Sequence, residues 1–318
     1  MNAAAEPRST TGAPRTVLEE LLQTVRQQLV ARDEAPAGAW VEATATDLMH
    51  GTKAGLYLPG DAGGLVFYAR HGPSAFGHLH TDAGPDAAQR LAGALLDGLP
   101  EEVRSLDLGF TGLSPADERT VAAALAARAG STVIERQAMD RVLTPADARG
   151  AADPPPGIER VPVRAVTLDA LTELDRAAFR GSIDELLVGP GQEANRRALE
   201  AILDGRLGRF VDEGSCAILA AEPTRLLGIV LCTERSTRRA LVGALMVDPT
   251  QRRRGLGRFL LGWSLRALWA LGYESARLWV SLDNAAALAL YHEFDFRPSL
   301  WATIYRWDRS SPQAHLSR

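Results

Sequence analysis

Apolar residues recur along this chain at two spacings, which together predict a protein that mixes helices and strands. From Leu18 to Leu29 they fall every three or four residues, which predicts an amphipathic helix. Elsewhere, short apolar runs bounded by Gly, Pro or Asp predict strands. In the first half, strands are predicted at 40–43, 54–58, 65–69, 75–80, 103–108, 132–134 and 139–143, and helices at 86–99 and 115–129.

The second half repeats this order of elements. Strands are predicted at 161–166, 216–221, 227–233, 240–247 and 276–280, and helices at 168–179, 193–203, just after Gly257 and at 285–293. A repeated order indicates internal duplication. We therefore predict an α/β (α+β) fold with two similar domains, each a central mixed β-sheet flanked by helices. An unrelated α/β domain in the first half is the alternative.

Local composition predicts where the domains begin and end. Residues 1–14 are small and polar, which predicts a disordered tail. The first domain is expected over 15–145 and the second over 161–309, followed by a tail at 310–318. Between the domains, residues 146–160 include the segment Asp153-Pro154-Pro155-Pro156-Gly157, which predicts a stiff, extended linker. The length of 318 residues suits two domains of about 150 residues each.

Charge and cysteine content narrow the class of protein. The net charge of −4 does not suit a broadly basic, nucleic-acid-binding surface. No apolar run approaches the roughly 18 residues needed to span a membrane, and the N-terminal residues do not resemble a signal peptide. The only two cysteines, Cys216 and Cys232, fall in predicted apolar strands and suit a reducing compartment. A cytoplasmic protein is expected.

The most informative stretch lies between a predicted strand and a predicted helix in the second half. Residues 252–257 read Arg-Arg-Arg-Gly-Leu-Gly and follow the strand breaker Asp248-Pro249. Unpaired N–H groups at the start of a helix, together with guanidinium groups, favour an anion. The loop lacks the lysine of a Walker motif, and Leu260 stands where a dinucleotide-binding loop has its third glycine.

This loop resembles the pyrophosphate-binding loop, Arg/Gln-x-x-Gly-x-Gly/Ala, of the GNAT (Gcn5-related N-acetyltransferase) family. The match is carried by Arg252, Gly255 and Gly257. A second family signature, Asn-x-x-Ala-x-x-Leu-Tyr followed by Gly-Phe, is matched downstream at Asn284, Ala287, Leu290, Tyr291 and Phe296. Asp295 replaces the usual glycine before the phenylalanine. Aspartate tolerates turn conformations well, so we interpret this as a local substitution.

The resemblance implies an acetyl-CoA-dependent N-acetyltransferase (an N-acyltransferase of the acyl-CoA-dependent class) that needs no metal. The acetyl group would move to a primary amine by direct attack in a ternary complex. The pyrophosphate of acetyl-CoA would be held by the Arg252 side chain and by backbone N–H groups from Arg253 to Arg258. These N–H groups belong to Arg253, Arg254, Gly255, Leu256, Gly257 and Arg258. Met246 and Val247 would pair their backbone with the pantetheine arm, which Asn284 would also contact.

The same resemblance assigns Tyr291 as the general acid that protonates the leaving thiolate, a role that suits a phenol at neutral pH. The general base is less clear, because the strand over 240–247 has no glutamate. Glu234 is the candidate by position, with Asp184 or Glu185 in the loop over 181–191 as further candidates.

Three nearby residues are not given a catalytic role. A cysteine in an apolar strand is more often core than nucleophile, so we interpret Cys216 and Cys232 as packing residues. His292 adjoins Tyr291 in sequence but should point to another face of the helix.

The first half differs in the turn that corresponds to residues 252–257. This turn follows the predicted strand at 75–80 and reads Thr81-Asp82-Ala83-Gly84-Pro85-Asp86. Two carboxylates and no arginine would repel a pyrophosphate. The first domain is therefore expected to keep the fold without the cofactor.

The acceptor is not disclosed by the sequence. We expect a small-molecule or peptide amine, no nucleic-acid or membrane partner, and either a monomer built as a pseudo-dimer or a homodimer. Three alternatives stay open. They are a non-catalytic acyl-CoA-binding or sensor protein, a transferase for a longer acyl group or a protein amine, and a phosphate- or nucleic-acid-binding module.

Overall fold

The computed structural model describes residues 6–31, 40–59, 63–147, 153–188, 192–221, 225–236 and 238–309, which divide by their contacts into two units. The first unit comprises the described residues up to Arg136 together with those from Trp301 onward, and the second is Gln137–Leu300. The sequence predicts a single domain over 161–309. By contacts, the residues from Trp301 onward group with the first unit, because the last strand of the chain pairs with a strand of that unit. The predicted tail at 310–318 lies outside the described residues, as does the 148–152 part of the predicted linker.

The first unit is built from a mixed sheet with helices. Its elements are β1 (Arg8–Ser9), α1 (Arg15–Ala31), α2 (Trp40–Met49), β2 (Ala54–Leu58), β3 (Gly64–His71), β4 (Ser74–Thr81), α3 (Pro85–Asp97), β5 (Ser105–Thr111), α4 (Pro115–Leu125) and the start of β6 (Ser131–Val142). Strands β1 to β4 pair in antiparallel order, and β4 and β5 are parallel, joined by α3.

The second unit has the same plan. It contains the rest of β6, then β7 (Ile158–Val161), α5 (Leu168–Phe179), α6 (Asp184–Val188), α7 (Gln192–Leu203), β8 (Arg209–Phe210), β9 (Cys216–Ala220), β10 (Arg225–Ser236), β11 (Arg239–Val247), α8 (Leu256–Ala270), β12 (Ser275–Ser281) and α9 (Ala285–Glu293). The chain closes with β13 (Arg297–Asp308), whose residues from Ile304 onward pair with β5.

The repeat extends further than the sequence pattern indicated. Strands β7, β9, β10 and β11 pair in antiparallel order like β1 to β4, and β11 and β12 are parallel and joined by α8, as β4 and β5 are by α3. In each unit, helices lie between the first and second strands of this antiparallel set, α1 and α2 in the first unit and α5, α6 and α7 in the second. The predicted fold of two α/β halves, each with a mixed sheet, is confirmed.

One predicted strand is wrong. Residues 40–43 begin helix α2, whose inward positions Val41, Ala45 and Leu48 are buried at helical spacing. A window of four residues was too short to show this period, which needs at least two turns of helix.

Further elements differ from their predicted positions, and the two strands predicted at 132–134 and 139–143 form one continuous strand, β6. The disordered tail predicted at 1–14 is wrong for the described residues from Glu6 onward. Arg8–Ser9 pair with β2, and Thr10 is fully buried and donates to Gly55 O at 3.1 Å. In the second unit, the strand predicted at 161–166 ends at Val161, because Pro162 has no N–H to give and a 3₁₀ turn follows it.

Each unit has two hydrophobic clusters, which pack different helices against its sheet. In the second unit, α8 supplies Leu256, Phe259, Leu260 and Leu265 to a cluster that also contains Tyr291. This packing fixes α8 and α9 against the sheet. Of the helices that the structure describes, none combines the length and the apolar character that a membrane crossing requires.

Candidate active site

The central feature of the second unit is a divergence of its two parallel strands. β11 pairs with β12 only from Arg239 with Ser275 to Val242 with Leu278, although the strands continue to Val247 and Ser281. Against β10 on its other side, β11 stays paired up to Val247, with a bulge at Gly243, where Leu231 pairs with Ala244 and Cys232 with Val242. Over the described residues, the backbone of β11 beyond Val242 is therefore open toward β12.

A cleft of about 960 Å³ lies at this opening. Its lining residues are Ala178, Phe179 and 181–184 from the end of α5 and the following loop, 245–247 from β11, Gln251–Arg253 and 255–258 from the loop and helix α8, and 283–284, 286–287, 289–291 and Glu293 from α9. This volume is within the range of about 300–1,000 Å³ that is usual for ligand sites.

The cleft reaches the N-terminus of α8. Gly255 precedes the first helical residue with φ 79°, a left-handed conformation that suits glycine, and Arg253 also has positive φ, at 59°. The first backbone bond of the helix is donated by Phe259 to Gly255 O, at 2.9 Å. The N–H groups of Leu256, Gly257 and Arg258 are therefore left without an intrahelical partner at the cleft, an arrangement that favours an anion.

Room for that anion is left at Gly257. A Cβ atom built there would lie 3.5 Å from Leu290 and 3.8 Å from Val247, both at ordinary contact distance. Gly257 lacks positive φ, so its backbone conformation does not itself require glycine.

The three arginines of the loop and Arg258 in the first turn of α8 have different partners. Arg252 donates to the carbonyl of Ala178 and so ties the loop to the end of α5. Arg254 donates to Gln251 Oε1, and Arg258 forms an ion pair with Glu293. Among the described residues, Arg253 has no side-chain partner and is exposed. The family resemblance implies that Arg252 holds the pyrophosphate, whereas the structure gives that guanidinium a backbone partner and leaves Arg253 available.

Helix α9 also lines the cleft, and it positions Tyr291 and the capping residue Asn284. Asn284 caps the helix, because its side chain accepts from Ala287 N at 3.1 Å, and its own N–H donates to Ser281 O at 3.0 Å. Tyr291 lines the cleft, is only 7% exposed, and has its ring centroid 6.0 Å from that of Phe296. Both residues predicted from the second signature therefore lie in the same cleft as the loop.

Asp295 has φ 58°, as expected for a residue that replaces a glycine at the end of a helix. This left-handed turn lets Phe296 donate back to Tyr291 O at 3.0 Å. The substitution thus preserves the turn, and the turn holds the buried Phe296 against Tyr291.

The structure contradicts Glu234 as a base in this cleft. Met246 lies opposite Ile229 on β10, and Glu234 is five residues beyond Ile229, or about 16 Å at about 3.3 Å per residue. There its carboxylate accepts from Arg209 and, at 2.8 Å, from Tyr273, and these hydrogen bonds hold the pKa of Glu234 below its usual value. Glu234 is a partner in a surface ion pair, a context that position in the sequence could not reveal.

The two candidate bases in the loop over 181–191, Asp184 and Glu185, differ in whether they line the cleft. Asp184 lines the cleft, where its carboxylate accepts from the hydroxyl of Ser281. Glu185 is exposed, does not line the cleft, and accepts from Gly181 N at 2.7 Å.

The residues left without a catalytic role are placed as expected. Cys216 and Cys232 are fully buried, burial raises the pKa of each thiol to about 12, and Cys232 Sγ lies 3.2 Å from Ser264 Oγ. His292 is exposed and does not line the cleft. Across the described ranges, no group of three or more His, Cys, Asp and Glu side chains is arranged to hold a metal ion.

The first unit lacks the divergence. There β4 and β5 pair from Ser74 with Ser105 through to His80 with Thr111, so the ends of the strands stay joined. Counting from the glycine before each crossover helix, Pro85 and Asp86 stand where α8 has Leu256 and Gly257.

The last helix of each unit can be aligned in the same way. Ser114 caps α4 by accepting from Asp117 N, as Asn284 caps α9. Counting from these caps, the fully buried Val121 stands at the position of Tyr291. The first unit thus keeps the frame of the fold but has neither the phenol nor the glycine of the second-unit cleft.

Comparison with known proteins agrees with this geometry. Residues 168–296 match the family described as Acetyltransferase (GNAT) family. A mycothiol acetyltransferase from Gordonia bronchialis is 40% identical over 77 residues, which span 24% of this chain and 25% of that protein. The chain thus matches only about a quarter of that relative's length.

Solved structures match over nearly the whole chain, at identities that indicate the fold alone. A GCN5-related N-acetyltransferase from Sphaerobacter thermophilus has 16% identity and a TM-score of 0.61 over 96% of each chain. A tandem GNAT protein from the clavulanic acid biosynthesis pathway has 14% identity and a TM-score of 0.53 over 97% of this chain and 99% of that one. The match to the GNAT acetyltransferase family thus covers residues 168–296, and the structural matches extend the likeness of fold over nearly the whole chain.

Proposed function

We propose that the second unit catalyses the acetyl-CoA-dependent transfer of an acetyl group to a primary amine, by direct attack in a ternary complex. The proposal depends chiefly on one observation: the open edge of β11, the N-terminus of α8 and Tyr291 all face a single cleft. The three supply a backbone edge for an amide-containing arm, an anion site for a pyrophosphate and a phenol for a leaving thiolate. Acetyl-CoA has all three features, which it shares with CoA thioesters of longer acyl groups.

The pyrophosphate would bind at residues 253–258. Their backbone N–H groups at the helix N-terminus, with the guanidinium of Arg253, favour its charge. Gly257 leaves the approach clear. Arg252 would act indirectly, since its bond to Ala178 O holds the loop in place.

The pantetheine arm would pair with the backbone of Met246 and Val247. The Met246 side chain is buried in the core, so this residue would offer the ligand its backbone, beyond the point where β12 has left β11. Backbone N–H groups on this edge would also polarise the thioester carbonyl. Asn284, at the cap of α9, would contact the arm from the opposite side.

Tyr291 would donate the proton that the departing sulfur requires. In the transfer a C–N bond forms and the C–S bond breaks. Counted from the ammonium form of the acceptor, nitrogen gives up two protons, of which one replaces the proton that Tyr291 supplies and the other passes to solvent. Binding both substrates in one cleft supplies the proximity.

The first unit is proposed to bind no acetyl-CoA. Pro85 removes one N–H donor at the start of α3, and Asp86 adds a carboxylate where α8 has Gly257. The uninterrupted pairing of β4 with β5 leaves no open strand edge between them.

The test is a calorimetric titration of acetyl-CoA into the whole chain, followed by mass spectrometry of primary amines incubated with both. One binding site per chain and an acetylated amine are expected. No binding would overturn the acetyltransferase proposal, and two sites would overturn the assignment of the first unit.

A further inference from the structure

The cleft is lined by groups of both signs of charge. The N-terminus of α8 and Arg253 favour an anion. Three carboxylates also line the cleft, those of Asp184, Asp283 and Glu293. Glu293 is neutralised by its ion pair with Arg258, whereas Asp184 and Asp283 form no ion pair within the described part of the chain.

Of these two carboxylates, Asp184 is the one built into the cleft. Asp283 is exposed, while Asp184 is half-buried. Ser281, which is 1% exposed, donates its hydroxyl to Asp184 Oδ1 across 97 residues of sequence. A neutral hydroxyl orients the carboxylate without cancelling its charge.

Ser281 also connects this carboxylate to the cap of α9, the helix that carries Tyr291. It is the last residue of β12, three residues beyond Leu278, where the strand leaves β11. Its carbonyl accepts from Asn284 N at 3.0 Å, at the cap of the helix that carries Tyr291. The position of Asp184 is therefore fixed relative to α9, as a group that selects a substrate must be.

We propose that Asp184, held by Ser281, is the residue that selects the acceptor, and that it does so by binding the ammonium group of a cationic amine. The inference rests on the proposed function, because it assigns the acceptor end of the same cleft. A half-buried carboxylate without a cation partner is stabilised by a ligand that brings one. Neutral acceptors, such as alcohols, would lack this ion pair.

The test uses probes that need no knowledge of the natural acceptor. Coenzyme A thioethers that carry a terminal ammonium on a chain of two to six carbons are compared with the matching terminal alcohols, by calorimetry on the full chain. Acetyl-CoA is titrated in parallel with every variant, because its binding reports on the proposed function alone. For the best chain length, the ammonium probe is expected to bind about tenfold to a hundredfold more tightly than the alcohol.

Three variants test the assignment. Asp184→Asn should abolish the preference for ammonium while acetyl-CoA binds as in the unmodified chain. Ser281→Ala should weaken the preference, because the carboxylate loses its anchor. Glu185→Gln is the matched control, with the same change of charge one residue away and outside the cleft, and it should keep the preference.

The outcomes are distinguishable. Equal affinity for ammonium and alcohol probes at every length would overturn the inference, as would a preference that survives Asp184→Asn or is lost equally in Glu185→Gln. Acetyl-CoA binding would leave the proposed function standing in each of those cases. Failure of the unmodified chain to bind acetyl-CoA would instead overturn the proposed function, and the inference with it.

Discussion

Val242 and Leu278 are the last residues through which β11 and β12 pair. Beyond them the two strands part, and the cleft begins. In the first unit the equivalent strands pair to their ends, with His80 opposite Thr111. The same fold therefore presents a binding cleft in one unit and a closed sheet in the other.

Replacement of Tyr291 by phenylalanine is expected to separate chemistry from binding. The ring would keep its packing against Phe296, 6.0 Å away, so the fold and acetyl-CoA affinity should be preserved. The loss of a general acid should lower kcat by about 100-fold or more. Steady-state kinetics with an amine that the unmodified chain acetylates, together with calorimetry of acetyl-CoA binding, would check this. Activity within about twofold of the unmodified chain would remove Tyr291 from the acid role.

Gly257→Glu is expected to abolish acetyl-CoA binding without unfolding the chain. The position has space for a side chain, since a Cβ would lie 3.5 Å from Leu290, but a carboxylate at the helix N-terminus would occupy and repel the anion site. Gly257→Ala is the control for size. It should retain most of the affinity, because it adds one methyl group and no charge. Equal loss in both variants would indicate a steric cause, and binding retained by Gly257→Glu would contradict the pyrophosphate site.

Glu234→Gln is expected to leave catalysis almost unchanged. Glu234 is engaged by Arg209 and Tyr273 at the far end of β10, outside the cleft. Its ion pair with the exposed Arg209 is screened by solvent and should contribute little to folding. Rate measurements at saturating amine, with urea unfolding of the same sample, would test both points. A loss of kcat of about 100-fold would restore Glu234 as the base and show that the cleft extends further than its lining residues indicate.

Asp295→Gly is expected to keep or slightly increase stability. The residue has φ 58°, a conformation that costs most L-residues about 1–2 kcal/mol and that glycine adopts freely. The gain should be below about 1 kcal/mol, because aspartate already tolerates this conformation and glycine loses more entropy on folding. Asp295→Val should lower the free energy of unfolding by at least about 1 kcal/mol, since a β-branched side chain is strained there. Urea unfolding of both variants would test the turn, and a more stable valine variant would refute its importance.

Much of the site was visible in the sequence because its signals are local. The loop at 252–257 shows its chemistry through adjacent arginines and glycines, and Asn284 caps a helix through an atom three residues away. The predicted helices at 168–179 and 285–293 coincide with α5 and α9 for the same reason. Asp295 could be recognised as a turn residue because its backbone conformation depends on its own side chain.

What the sequence alone determined about this protein was therefore its repeat of two α/β halves, its loop of arginines and glycines at the start of α8 and the helix that bears Tyr291. The tertiary structure decided which strands part, which carboxylate lines the cleft and which unit receives the last strand. Those features depend on partners far apart in the chain, such as Ser281 with Asp184 or Ile304 with Gly109. Spacing along a sequence specifies local geometry, but pairing between distant segments follows from packing of the whole fold.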